Sequence, residues 1–222
     1  EAAKFHKILE VILAYGNYMN SERRGGVFGF KLNSLDSLAI LKSPSDRTLT
    51  LLHLVAETVS SYSPELVSFG DELKFLEKAS AVQWETIQTD VKEIRVSFEA
   101  AVKERKLKGD DAPESLVKFI EKHSKDVEEL QEQLNLATKE YALCVEYYGE
   151  SSKTIQPFAF FSRLNNFVNN FTKCNSENEQ KIALEKRMSV ERERKAALVS
   201  GDQEGSREGR GRKRIDSTML EH

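Results

Sequence analysis

The chain has little proline, little cysteine and no long apolar run, and each shortage removes a class of protein. Its 222 residues include 4 prolines, 2 cysteines and 11 glycines. No apolar stretch approaches the roughly 20 residues needed to cross a bilayer, and no secretory leader opens the sequence. Cys144 and Cys174 stand 30 residues apart. With no CxxC and no Cys/His cluster they exclude a disulfide framework and a zinc site, and read as small buried hydrophobes in a reducing compartment. The net charge is only −3, so no global field points to nucleic acid or membrane.

Catalytic apparatus is missing as well. His6, His53, His123 and His222 are scattered, and no nucleophile lies beside a base in a local motif. His123 falls on an apolar seam and reads as a satisfied core or edge histidine. The glycines of "RGGVFG" follow no strand and carry no phosphate-loop lysine, so they form no nucleotide cradle. The reading is therefore a non-enzyme with no cofactor and no metal.

What the chain has is helix. Charged residues make up 31 % and hydrophobic ones 39 %, a balance suited to a soluble, helix-rich protein with long solvated faces. Apolar residues at Phe5, Ile8, Leu9, Ile12, Leu13 and Met19 predict a helix over 2–20, followed by a glycine-rich loop over 21–30. "NSLDSLAIL" opens a short helix with Asn33 or Ser34 as N-cap. Ser45 or Asp46 can cap a helix whose face includes Leu49, Leu52, His53, Ala56 and Val59. Pro64 starts another, running through Leu66, Phe69, Leu73 and Leu76.

The clearest pattern lies downstream. Trp84, Ile87, Val91, Ile94, Phe98 and Ala101 alternate at steps of three and four. After the break "KLKGDDAP", Leu116, Ile120, His123, Val127, Leu130, Leu134, Ala137, Tyr141, Cys144 and Tyr148 do the same. This alternation predicts two supercoiled helices, antiparallel because the gap is short. At 1.5 Å per residue the second is roughly 50 Å long, so the expected fold is elongated. Gly149 ends it, and Pro157 opens a closing helix with Phe160, Leu164, Phe167, Phe171 and Cys174 on one stripe, which Phe161 and Val168 widen. From Asn175 the seam turns polar and predicts a solvated helical extension. Residues 196–222 read as a disordered basic tail, with four net positives over 206–214. The start at Glu1, inside a helical pattern, suggests a fragment, and the terminal "LEH" fits a native end or a vector remnant.

Recognition surfaces remain. Asn17 and Asn20 share a helix face, and Gly16 beside them leaves the backbone open to a close approach. The plain alternative is that Gly16 and the asparagines only terminate a helix. Residues 22–47 hold Arg23, Arg24, Lys31, Lys42 and Arg47 against Glu22, Asp36 and Asp46, a surplus of two positives.

"GNYMNSERRGGVFGFKLNSLDSLAILKSPSDRTLTLLHLV" resembles the most recognisable stretch of the formin homology-2 family. It carries GNxxN as Gly16-Asn17-Tyr18-Met19-Asn20, "GFKL" at 29–32, "SLxxL" at 34–38 and "LLH" at 51–53. The heptad hairpin and "YYGESSKTIQPFAFF" follow in the family's order, so the resemblance spans about 1–195, with details nearest the diaphanous-related branch. It implies an all-α domain with part of the knob/post region at 1–79, a coiled-coil hairpin at 80–148, and a closing post helix with its extension at 157–195.

It also implies a function. The complete domain is a head-to-tail dimer that nucleates actin filaments and stays on the growing barbed end. On this resemblance Gly16, Asn17 and Asn20 form the socket that receives a second subunit's lasso. Lys31 is the actin-contacting lysine, with Arg23, Arg24 and Lys42 as basic neighbours. The partners implied are actin, a second subunit, and profilin–actin through a proline-rich region outside the chain. The location implied is cytoplasmic and cytoskeletal, with no nucleic acid and no membrane. The family's amino-terminal half has no counterpart here, so the chain is expected to hold a socket without its lasso, and alone to be inactive or weak. The basic tail matches the family only in composition. A lipid-binding, membrane-curving helical module and a plain coiled-coil scaffold are the alternatives.

Overall fold

The computed structural model describes the backbone of residues 2–211, and side chains over 2–21 and 25–195. The chain divides into two compact units, 1–172 and 173–222. All regular structure among the described residues is helical, apart from one isolated antiparallel bridge between Lys42 and Thr50. In chain order come α1 (Ala3–Arg24), α2 (Ser34–Leu38), α3 (Leu51–Tyr62), a 3-10 helix (Pro64–Leu73), α4 (Leu76–Ser80), α5 (Trp84–Lys108), a 3-10 turn (Gly109–Asp111), α6 (Glu114–Tyr147) and α7 (Pro157–Gly211). The all-α fold expected from the sequence is the one observed.

In the first unit, α1 and α3 pack on the 3-10 helix and on each other. The core is aromatic and drawn from distant segments. Phe5 lies 5.9 Å from Phe69, 6.2 Å from Tyr148 and 6.3 Å from Phe167, and Phe69 meets Phe171 edge-on at 5.0 Å. Offset and edge-on pairs suit the ring quadrupoles, and each adds about 0.5–1.5 kcal/mol beyond the area it buries. The start of α1 has no local cap. Glu72 supplies one from the 3-10 helix, its carboxylate accepting the backbone N–H groups of Lys4 (2.9 Å) and Phe5 (3.4 Å). Gly70, in the same 3-10 helix, lies so close to α7 that a Cβ there would stand 3.0 Å from Val168 Cγ1.

Several expected boundaries move. The first helix does not stop at Asn20 but continues to Arg24. Neither Ser45 nor Asp46 caps α3. Asp46 instead accepts the Thr48 backbone N–H at 2.9 Å and closes a local turn. Thr50 is the N-cap of α3, and its backbone N–H donates to Nδ1 of buried His53 at 3.1 Å. The helix expected from Pro64 through Leu76 is a 3-10 segment to Leu73, then a separate short α4. The non-helical backbone of Ser68 marks where the regular pattern yields to packing.

The hairpin α5–α6 forms as the heptads predict, but its seam is not closed. Val91 and Ile120 are buried, whereas Ile94 on the same seam is 46 % exposed. A groove of about 800 Å³ runs between the helices, lined by Ile94, Phe98, Phe119, His123, Val127 and Leu130 among others. His123 is half-buried there, with Nδ1 2.9 Å from Asp126. Gly149, in the left-handed region at φ 70°, ends the hairpin, and the Glu150 N–H returns to the Val145 carbonyl at 3.1 Å.

α7 begins at Pro157 as expected, and Phe160, Leu164, Phe167 and Phe171 are buried. In the second unit the helix carries short-range polar pairs, with Asn175 donating to Glu179 at 2.9 Å and Lys195 meeting Glu191 at 2.7 Å. Ile182, Leu184, Met188 and Val190 are exposed. The basic tail expected at 196–222 lies wholly outside the described side chains, and 212–222 lie outside the described residues altogether. Neither Cys144, half-buried, nor Cys174, buried, is bridged by a disulfide among the described residues.

Candidate functional site

The second half of α1 carries Gly16, Asn17 and Asn20 in regular helix rather than at a helix end. A glycine inside a helix costs roughly 0.5–1 kcal/mol relative to alanine, so it needs a reason. Packing within the described residues supplies none, since nothing lies within 4 Å of where a Gly16 Cβ would stand. The open backbone expected at Gly16 is present, and none of the described residues fills it.

The two asparagines share a face yet do different work. Asn20 turns back along the helix, donating to the Gly16 carbonyl at 2.7 Å. Asn17 spends both ends of its amide on the following loop. Its Nδ2 donates to the Val27 carbonyl at 2.9 Å, and its Oδ1 accepts the Val27 N–H at 2.8 Å. That two-sided match mimics a β-ladder and fixes the loop against α1. Gly25, at φ 68°, makes the left-handed turn between them.

The loop is fixed again four residues after its clamp. Leu32 is buried, the Ser34 N–H donates to the Lys31 carbonyl at 2.9 Å, and the Leu35 N–H to the Leu32 carbonyl at 3.0 Å. These bonds start α2, whose Leu35 and Leu38 are buried. Arg163 on α7 holds α2 from outside, with Nε 3.0 Å from Asp36 Oδ2. Lys31 is therefore an exposed cation on a fixed backbone, and it forms no ion pair among the described residues. Lys42 is exposed at the base of a second closed loop, where the Leu51 N–H donates to the Leu41 carbonyl at 2.8 Å and the Ser43 N–H to the Leu49 carbonyl at 2.9 Å. The side chains of Arg23 and Arg24 lie outside the described residues.

A groove of about 420 Å³ adjoins this loop, lined by His6, Leu9, Leu13, Phe30, Tyr147 and Tyr148 among others, with Phe28 at its rim. Sequence reasoning passed over both the groove and Phe28. The groove joins residues some 140 positions apart, from His6 to Tyr147, and an aromatic between glycines belongs to no period. Burial pushes the Tyr148 phenol up to about 12, with Cys144 and Tyr147 adding to it, and burial with Cys144 raises Tyr141 to about 12. Both folded values exceed the unfolded value near 10, so below that pH the titration of neither group affects stability. Above it the unfolded chain loses protons that the folded chain keeps. Stability is expected to fall as pH rises from about 10 to about 12. Thermal melts across that range check this, and Tyr148→Phe and Tyr141→Phe should each flatten the decline; a slope unchanged in both would contradict it.

Among the described residues no group of three or more His, Cys, Asp or Glu is placed to hold a metal, and no helix is long and apolar enough to cross a membrane. The arrangement offers binding surfaces: an open backbone, an apolar groove and cations on fixed loops.

Comparison with known proteins accords with this. The family profile described as Formin Homology 2 Domain matches residues 1–172. Human Formin-like protein 3 is 40 % identical over 194 residues, covering 87 % of this chain. The Drosophila melanogaster Formin-like protein is 36 % identical over 187 residues, covering 84 %. The chicken protein Disheveled-associated activator of morphogenesis 2 is 32 % identical over 183 residues, covering 79 %. The matched regions are 18 %, 16 % and 17 % of those proteins, so the chain spans less than a fifth of each relative.

Proposed function

The chain belongs to the formin homology 2 family, and on that premise we propose that it is the actin-binding part of an actin-assembly domain. It acts by binding alone, with no covalent step, and within a complete dimeric domain it supports filament nucleation and processive association with barbed ends. The observation that carries this reading is Lys31, the lysine of the family's "GFKL" stretch, held exposed between the Asn17–Val27 clamp and buried Leu32. Lys31 meets acidic surface on actin, and Lys42, Arg23 and Arg24 add to the local positive field. Gly16, with Asn20 bonded to its carbonyl, forms the floor of a socket for a segment of a second subunit. Asn17 serves that socket through the loop it holds. A cytoplasmic, cytoskeleton-associated location follows from this function, as does delivery of profilin–actin by a proline-rich region elsewhere in the protein.

The test compares two surfaces side by side. The full-length protein that contains this chain is sedimented with actin filaments and, separately, with anionic liposomes. Co-pelleting with actin and acceleration of actin assembly are the expected results. Pelleting with liposomes alone would replace this reading with a lipid-binding one, and pelleting with neither would favour a plain scaffold.

A further inference from the structure

Phe28 is the most exposed large hydrophobic residue among those described, its side chain wholly in solvent. A phenylalanine in water is common enough on a loose loop, but this loop is not loose. Val27 immediately before it is held on both backbone groups by Asn17, at 2.9 and 2.8 Å, and Leu32 four residues later is buried. Only Phe28, Gly29, Phe30 and Lys31 span the gap. Gly29 has nothing within 4 Å of its Cβ position, so approach to this segment is unobstructed. The fold thus holds an aromatic ring out in water and a cation three residues along, at fixed separation on the backbone.

We propose that residues 27–31 are a preorganised two-point anchor for actin, with Phe28 entering an apolar cleft and Lys31 meeting carboxylates at its edge. Asn17 is the positioning residue that keeps the anchor in its binding conformation. The inference rests on the function proposed above and extends it, because there the contact is made by charge alone. Aromatic anchors carry much of the energetics of protein interfaces, a cation at the edge of an apolar contact gives it orientation, and a loop already ordered loses little freedom on binding. The sequence surplus of two positives over 22–47 favours an acidic partner over a basic one. Tyr18 and Met19, next to Asn17 in α1, are exposed as well.

The test uses the full-length protein, with Phe28→Ala, Asn17→Ala and the two combined, beside Lys31→Asp. Affinity for filament ends is read from fluorescent actin assembly, dimer formation from sedimentation, and folding from thermal melts. Phe28→Ala is expected to weaken end binding at least tenfold with an unchanged melt and an intact dimer. Asn17→Ala should weaken it several-fold, and the combined variant should lose less than the product of the two single losses, because the clamp acts in part through the ring. If Phe28→Ala stays within twofold of the parent while Lys31→Asp is inactive, the anchor is wrong and the actin-binding reading stands. If both bind like the parent, the anchor and the Lys31 contact fall together. Loss of the dimer in Phe28→Ala would assign the ring to the subunit interface and overturn the proposal.

Discussion

Lys31→Asp is expected to abolish the effect of the complete domain on actin assembly while leaving its dimer and its melting temperature intact. Lys31 is exposed and makes no ion pair among the described residues, so folding has nothing to lose from the exchange. Surface changes of this kind usually move stability by no more than about 0.5 kcal/mol. Binding has much to lose. Removing a cation from an acidic partner and setting a carboxylate in its place converts attraction into repulsion, worth several kcal/mol when the contact is desolvated. At about 3 kcal/mol the affinity drops more than 100-fold. Bulk assembly of labelled actin, read beside sedimentation of the variant, is the measurement. Unchanged nucleation by a well-folded dimer would remove Lys31 from the contact.

Gly16→Leu is expected to separate folding from assembly in the opposite sense. Because nothing lies within 4 Å of its Cβ position among the described residues, a side chain there meets no obstacle in this chain. The substitution also replaces a poor helix former in the interior of α1 with a good one, a gain of roughly 0.5–1 kcal/mol. The variant should therefore melt no lower than the parent, and slightly higher. Yet the leucine fills the open backbone on which the proposed socket depends, so the complete domain should sediment as a monomer at concentrations where the parent is a dimer. A tight dimer in the leucine variant would mean that Gly16 is not in the interface. A lowered melt would mean that the glycine serves the fold.

The sequence predicts best where a single helix determines its own burial. The closing stripe of Phe160, Leu164, Phe167 and Phe171 is buried as its spacing implies, and Pro157 and Gly149 sit where such residues start and stop helices. The hairpin was legible in outline, because alternation at three and four fixes which faces meet. Its depth of burial was not, because Ile94 and Val91 carry the same signal and differ in what else covers them. Boundaries failed where another local residue took the capping role, as Thr50 with His53 displaced the capping expected of Ser45 or Asp46. At the site, Gly16, Asn20 and Lys31 could be named from the resemblance, but the bonds of Asn17 to Val27 could not. An amide ten residues from its partner leaves no period, and neither does a lone aromatic between glycines.

The aromatic cluster has a consequence for how the first unit comes into being. Phe5 in α1 meets Phe167, more than 160 residues later, across 6.3 Å. Everything between them, including the whole hairpin, must be made before that contact can close. During synthesis Phe5 can meet Phe69 well before it can meet Phe167. Contacts this distant along the chain slow folding, because loop-closure entropy is lost before any burial compensates it. The hairpin, whose own contacts are local, can form early and shorten the effective distance between the two ends. In that order of events its heptads serve assembly of the core as much as the finished structure.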